Sequence, residues 1–421
     1  MPDLTPTAER VTTTDHDDTP GAEISRSELI ALIAMLMATV AFSVDAMLPA
    51  LPSIAGDVAA GDVKQAAMVI STFMIGLGLG TLFAGPLSDA YGRHAIAVGG
   101  AAIFIPASLL AAVTGSIELL LVARFAQGIG ASGPRIVALA IVRDLYVGRQ
   151  MARTISFVMT VFAIVPVLAP SVGAVIDWAF GWRAIFIAFA LFSAISILWL
   201  KLRQPETHPV SKRRPFRVDA LKSGLKDILS NRMVMRSVMA QSLVYTILFI
   251  SIMSSQPVID QTFGRAASFP LWFGAIAMVA AGASFLNAAV VVRLGMAWVI
   301  RLSLTAMAVY ALFYAGLLSL IDGQSTLAFA LFLALICAGF SLAGLCIGNL
   351  NAIAMQPMGH IAGLAASAIS AISTSLGALL ASLSTLFFDG TALPATLGIL
   401  ISATIARLLA EKLSEEAEAA T

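Results

Sequence analysis

The sequence predicts an all-α integral membrane protein with twelve transmembrane helices in two six-helix bundles. Three observations carry that prediction. Of 421 residues, 59% are hydrophobic and only 12% are charged, with a mean hydropathy of +0.93, whereas a soluble domain carries about 25% charged residues. Uncharged runs of about 20 residues, the length that lets a helix cross a bilayer, recur along the chain. One long polar interior segment divides those runs six and six. Runs of this length are helices rather than barrel strands, and either would have to satisfy its own backbone polar groups in hydrocarbon.

Residues 1–27 are rich in Thr, Asp, Pro and Glu and lack an apolar period, so they read as a disordered cytoplasmic tail. They lack the basic start of a cleaved signal peptide. The first apolar run, 29–51, is too long for a signal core and reads as helix 1. Further helices are expected at 66–86, 95–114, 118–141, 155–176 and 184–201, completing a first bundle over 28–201. Residues 202–234 form a basic loop with Lys212, Arg213, Arg214, Arg217, Lys222, Lys226 and Arg232. A second bundle over 235–410 holds helices at 235–257, 269–292, 297–320, 325–350, 360–386 and 391–410. Residues 411–421 are a short acidic cytoplasmic tail.

Loop charges support that count. With twelve spans and a cytoplasmic N-terminus, the outer side receives only Lys64, Arg183 and Arg265 among the loop cations. Such an excess of Lys and Arg on one side places both termini inside. The even division also predicts a duplicated unit. The turn after helix 8 matches the turn after helix 2 when Gly295 is set against Gly92, with Val292 in place of Asp89.

The same composition limits function. A net charge of +1 gives no reason to expect nucleic acid. Cys337 and Cys346 lie in one predicted helix, about 13 Å apart along its axis, too far for a disulfide. Four scattered histidines form no metal cluster. The sequence holds no nucleophile elbow, Walker loop or dinucleotide fingerprint, so no enzyme, cofactor or metal is expected. The glycines at 76, 78 and 80 fit close helix packing better than phosphate binding.

Polar residues within the apolar runs are few, and charges at bilayer depth cost roughly 2.5–3.5 kcal/mol each. Asp45 and Arg124 each lie about six residues, roughly 9 Å, from the outer ends of helices 1 and 4. They form either an Asp–Arg pair facing an internal cavity or two separate snorkelling charges. Pro49 removes the helical donor to the Asp45 carbonyl and should bend helix 1 there, and Pro52 should end it. In helix 4, Arg124, Gln127, Gly128, Ala131 and Arg135 share one polar, small-residue face, which should line the cavity. Helix 5 carries Pro166, Pro170 and Gly173, which serve as a hinge or simply as kinks at close contacts. In the second half, Gln241, Tyr245, Gln256, Asn287, Asn349 and Asn351 either hold helices together or bind substrate.

Between helices 2 and 3 runs Gly85-Pro86-Leu87-Ser88-Asp89-Ala90-Tyr91-Gly92-Arg93-His94, a short polar loop at one membrane face. It resembles the signature Gly-x-Leu-(Ala/Ser)-Asp-x-x-Gly-Arg-(Lys/Arg) of major facilitator superfamily transporters. Gly85, Leu87, Ser88, Asp89, Gly92 and Arg93 match, while Ala90 and His94 depart. The run Leu121-x-x-Arg124-x-x-Gln127-Gly128-x-Gly130-Ala131 resembles the helix 4 signature of the same superfamily, which implies proton coupling. Leu168-Ala169-Pro170-Ser171-Val172-Gly173 resembles the helix 5 antiporter signature, with Ala169 for its usual glycine. The stretches 45–52, 142–146 and 363–368 resemble the Bcr/CflA branch of drug:proton antiporters.

That resemblance implies export of small amphipathic, drug-like molecules against proton import by a monomer in the bacterial inner membrane, with a part in antibiotic resistance. It implies a part in proton coupling for Arg124, and the depth of Asp45 with Pro49 beside it makes that carboxylate the expected proton carrier. It also implies a gating loop in which Asp89 meets the start of helix 11 and Arg93 reaches Asp144. The rival readings are a proton symporter or uniporter for a metabolite, and a membrane sensor or scaffold without transport.

Overall fold

The computed structural model describes residues 24–213 and 215–419. Most of the expected N-terminal tail, Arg214 of the basic loop and the last two residues lie outside them. Twelve helices, eleven apolar stretches of spanning length with one of them broken in two, fill the described residues. They are α1 (Arg26–Asp45), α2 (Val63–Tyr91), α3 (Arg93–Val113), α4 (Ile117–Leu145), α5 (Gly148–Phe180), α6 (Trp182–Arg203), α7 (Arg232–Pro257), α8 (Phe269–Leu294), α9 (Met296–Leu318), α10 (Thr326–Met355), α11 (Ala362–Thr385) and α12 (Leu393–Ala419). The broken stretch is Thr326–Thr385, which the turn Gln356–Ile361 divides into α10 and α11; Met358 leaves helical geometry there.

Side-chain caps start five of these helices. Ser25, Asp62, Ser116, Asn231 and Ser325 each accept a backbone N–H from the first turn, satisfying donors that no helix can pair internally.

The helix neighbours repeat with an offset of six. In the first half α1 packs on α4, α5 and α6, α2 on α4, and α3 on α4 and α6. In the second half α7 packs on α10, α11 and α12, α8 on α10, and α9 on α10 and α12. The halves meet along two seams, α2 with α11 and α5 with α8. Gly92 and Gly295 match in geometry as well as position: their φ values are +99° and +81°, in the left-handed region that favours glycine. Each ends its helix with a backbone bond, Gly92 to Ser88 and Gly295 to Val291.

Four expectations need correction. Helix 1 does not run to 51. It ends at Asp45, a tight turn covers Leu48–Ala50, and a short helix follows at Leu51–Val58. Pro52 therefore begins an element rather than ending one, because its fixed φ and missing N–H suit a first turn. The polar loop between helices 2 and 3 is mostly helix: α2 passes through Gly85 and Pro86 to Tyr91, and Gly92 alone makes the turn. The expected basic loop contains a helix, Val218–Ser230, and α12 extends to Ala419 through most of the expected acidic tail. The loop helix turns Leu221, Gly224, Leu225 and Ile228 inward, at i, i+3, i+4 and i+7. Ile228 is buried with Val234, Val238, Ala368 and Ile369, so the loop helix is seated across α7 and α11.

Candidate functional site

Arg93, the first residue of α3, is only 6% exposed. Its Nε and Nη2 donate to the two oxygens of Asp144, at 2.8 and 3.2 Å. Its Nη1 donates to Asp89 at 2.7 Å and to the Ser88 hydroxyl at 2.9 Å. Thr207 donates to Asp144 at 2.9 Å. The guanidinium thereby joins the end of α2, the start of α3 and the end of α4, and Asp144 ties in the segment after α6 through Thr207. Asp89 is 53% exposed, against 19% for Asp144. The Asp89 carboxylate bonds Arg93, not the start of α11, although it shares a cavity wall with Ala362 and Gly363 there.

The start of α3 has no cap of its own. Glu206 supplies one from far along the chain. Its Oε1 accepts the Arg93 and His208 backbone N–H groups, both at 3.0 Å, and its Oε2 accepts that of His94 at 3.0 Å. Burial pushes the Glu206 carboxyl up, but the three backbone donors outweigh it and hold the group below the ordinary carboxylate range. Gly92 keeps this arrangement possible, since a Cβ there would sit 2.6 Å from the Arg213 guanidinium and 2.9 Å from Glu206. Sequence reasoning missed Glu206 and Thr207. Their only signal was an acid and a hydroxyl just past a helix end, with nothing to show which helix they cap.

Asp45 and Arg124 do not pair. Arg124 is fully buried and donates to the Val69 carbonyl at 2.9 Å, the Ser43 carbonyl at 3.0 Å and Gln127 Oε1 at 2.9 Å. Its guanidinium lies 4.4 Å from the centre of the Phe73 ring. Pro49 explains the difference through the break it causes. In an unbroken helix Met47 N–H would bond the Ser43 carbonyl; here it bonds Val44 instead. The freed Ser43 carbonyl becomes an acceptor for Arg124, so the bend yields a carbonyl site rather than an ion pair. Asp45 is left 6% exposed, with no hydrogen bond or ion pair to a described residue.

The predicted cavity face of α4 is mostly a packing face. Gln127 is buried and donates to the Ser108 hydroxyl of α3 at 2.6 Å. Gly128 lies against the Phe73 backbone of α2, with no room for a side chain. Of that α4 face, Arg135 alone reaches the cavity. That cavity, about 520 Å³, opens between α2 and α4 of one half and α10 and α11 of the other, at the Asp89–Arg93 end. Thr81, Asn351 and Ser367 also line it.

Gln241 and Tyr245 do not line this cavity. Gln241 is 2% exposed within α7. Tyr245 stacks on Phe249 at 5.6 Å, and its Cβ abuts Gly377 of α11. The close α7–α11 crossing keeps both from the opening. Asn349 donates to Asn287 at 2.9 Å, tying α10 to α8. Gln256 donates to Asp260 at 3.4 Å.

The proposed hinge residues stand at crossings. α5 remains helical through Pro166 and Pro170, which leave the Phe162 and Pro166 carbonyls without helical donors. Gly173 is pressed against the Ala46 backbone, one residue past Asp45, where a side chain would collide. Gly274 of α8 approaches the Val167 carbonyl between the two prolines. At the far end from Arg93, Asp57 of the short helix accepts from Trp182 at 3.0 Å and from Arg183. There Lys64 reaches the Leu386 carbonyl across the halves at 3.4 Å.

Comparison with known proteins agrees with this architecture. The model of the Major Facilitator Superfamily matches residues 31–382. The chain is 27% identical over 363 residues to the uncharacterized MFS-type transporter YdgK of Bacillus subtilis (strain 168), covering 85% of this chain and 88% of that one. It is 30% identical over 328 residues to the multidrug resistance protein MdtL of Escherichia coli O9:H4 (strain HS), covering 77% and 80%. The crystal structure of a D-xylose–proton symporter superposes with a TM-score of 0.70 at 14% identity, covering 92% of this chain and 97% of that one, a likeness of fold.

Proposed function

The chain belongs to the Major Facilitator Superfamily, and from that premise we propose that it is a proton-coupled exporter of small amphipathic, drug-like compounds. It is a multi-pass membrane transporter and not an enzyme. Drug export is supported by the relative named a multidrug resistance protein.

Proton coupling rests on one observation. Among the described residues, Asp45 is the one buried carboxylate, and it has no partner. Such a group holds its charge only while water or a cation reaches it. It also sits two residues from the carbonyl that Arg124 grips, at a helix break packed on α5. Rocking of the halves would change both its water access and its neighbours, so each open state would favour a different protonation state.

In this reading the Arg93 end is cytoplasmic, both termini lie inside, and the cavity receives substrate from the cytoplasm of a bacterial cell. Closing it would carry the Asp89 carboxylate toward the start of α11, whose N-terminal dipole favours an anion. Asp89 would thereby stabilise the outward-open state. The protein acts as a monomer, with the cavity formed between its own halves. The test is proton movement in proteoliposomes. Adding a transported compound on the cavity side should alkalinise the opposite compartment, and a substrate flux without proton movement would defeat the reading.

A further inference from the structure

We propose that the transported molecule carries an anionic group and that Arg135 receives it. The inference rests on the transporter reading and names its substrate class. Arg135 and Arg143 both line the cavity, and neither makes a hydrogen bond or ion pair to a described residue. The carboxylates on the same wall are Asp89 and Asp144, and both are engaged by Arg93. The charge left over at the wall is therefore positive.

A second feature has the same sign. The start of α11, at Ala362 and Gly363, faces this cavity and carries no side-chain cap. The N-terminal end of a helix carries partial positive charge.

The two free guanidiniums differ in position. Arg143 is exposed, near the end of α4, while Arg135 is half-buried, about 12 Å farther along the helix. The outer cation attracts an anion to the mouth and the inner one binds it. A guanidinium presents a planar fork of donors that matches a carboxylate, sulfonate or phosphate. Asn351 offers a further polar group, and Ile136 and Leu139 give the wall an apolar part for the body of the ligand. A cationic ligand would meet two free guanidiniums, and the carboxylates on the wall already share Arg93. An unpaired arginine at this depth is costly and needs a use.

The charge assignment has an electrical consequence. One monoanion leaving as one proton enters moves two charges in the same electrical sense. Export is then accelerated by an inside-negative potential. Exchange of a monocation for a proton would move no net charge.

The test uses three probes with one ring system: 1-naphthoate, 1-naphthamide and 1-naphthyltrimethylammonium. Binding to the purified full-length protein is measured by equilibrium dialysis. Naphthoate is expected to bind roughly tenfold more tightly than either of the others, the scale of one hydrogen-bonded charge contact. Arg135→Gln should reduce naphthoate to the level of naphthamide, whereas Arg135→Lys should retain part of the preference. Cation binding equal to or tighter than anion binding overturns the proposal. So does failure of naphthoate to bind, or a preference that survives Arg135→Gln. The wild-type comparison decides the matter even if the variant does not fold. Binding needs neither turnover nor a proton gradient, so failure of proton coupling leaves this result standing, and failure here removes only the anion assignment.

Discussion

Glu206 caps the helix that begins at Arg93, accepting its backbone N–H at 3.0 Å from 113 residues away in sequence. The contact locks the segment after α6 onto the turn at Gly92. Glu206→Ala should cost about 1 kcal/mol, the typical worth of a helix cap, read as a lower midpoint in thermal unfolding in detergent. The pH dependence has a definite sign. The folded carboxyl lies below its ordinary value of 4.5, so its stabilisation is complete above that value and is lost as pH falls through the folded value. Wild type and Glu206→Ala should converge in stability at strongly acidic pH. A gap that stays constant from neutral to acid pH would show that the charge of Glu206 contributes nothing.

Asp89 and Asp144 should behave differently although both bond Arg93. Asp144 is more enclosed and holds two of the guanidinium's donors, whereas Asp89 is half-exposed and holds one. Asp89→Asn should fold normally and bind substrate, while slowing transport roughly tenfold, a barrier change of 1.36 kcal/mol. Asp144→Asn should lower stability as well, because it leaves a buried guanidinium short of its main partner. Equal thermal midpoints for the two variants, or normal transport by Asp89→Asn, would remove the distinction.

Topology is open to direct labelling. Ser211 and Ala60 are exposed and lie at opposite ends of the molecule's first half. In a background lacking Cys337 and Cys346, Ser211→Cys should resist an impermeant maleimide in intact cells and Ala60→Cys should react. The reverse pattern would turn the cavity toward the outside and invert the direction of transport.

Much of this molecule was legible in advance because a bilayer constrains it. Apolar runs of spanning length and the loop charges gave the number and order of the helices. Gly92 and Gly295 signalled the repeat, because no other residue type turns there so readily. Helix ends were less legible: α2 outruns its apolar stretch because 85–91 can remain helical while polar. The site was legible in its residue types more than in its pairings. Arg93 and Asp144 do meet. Asp45 and Arg124 do not, because sequence depth places two residues at one level without saying which carbonyls a bend will free. The loop helix at Val218–Ser230 was hidden by its lysines, whose presence reads as loop until its apolar face finds α11. Long-range capping by Glu206 depends on tertiary placement that no local pattern encodes.

The break after Asp45 gives the coupling hypothesis its decisive variant. Asp45→Asn replaces an ionisable group with a neutral one of similar size. Arg124 keeps Val69, Ser43 and Gln127, so the variant should fold with a thermal midpoint near that of wild type. Had the two side chains been paired, the same change would have stranded a buried arginine and destabilised the protein by about 3–5 kcal/mol. Stability thus reports on the geometry and transport on the mechanism, independently. In proteoliposomes with an imposed proton gradient, uphill export should be abolished, while downhill exchange of substrate across the membrane should remain measurable, since the cavity and Arg135 are untouched. Gradient-driven export that persists in Asp45→Asn would exclude this carboxylate as the proton carrier. The exposed Glu118 at the start of α4 would be the next acid to replace.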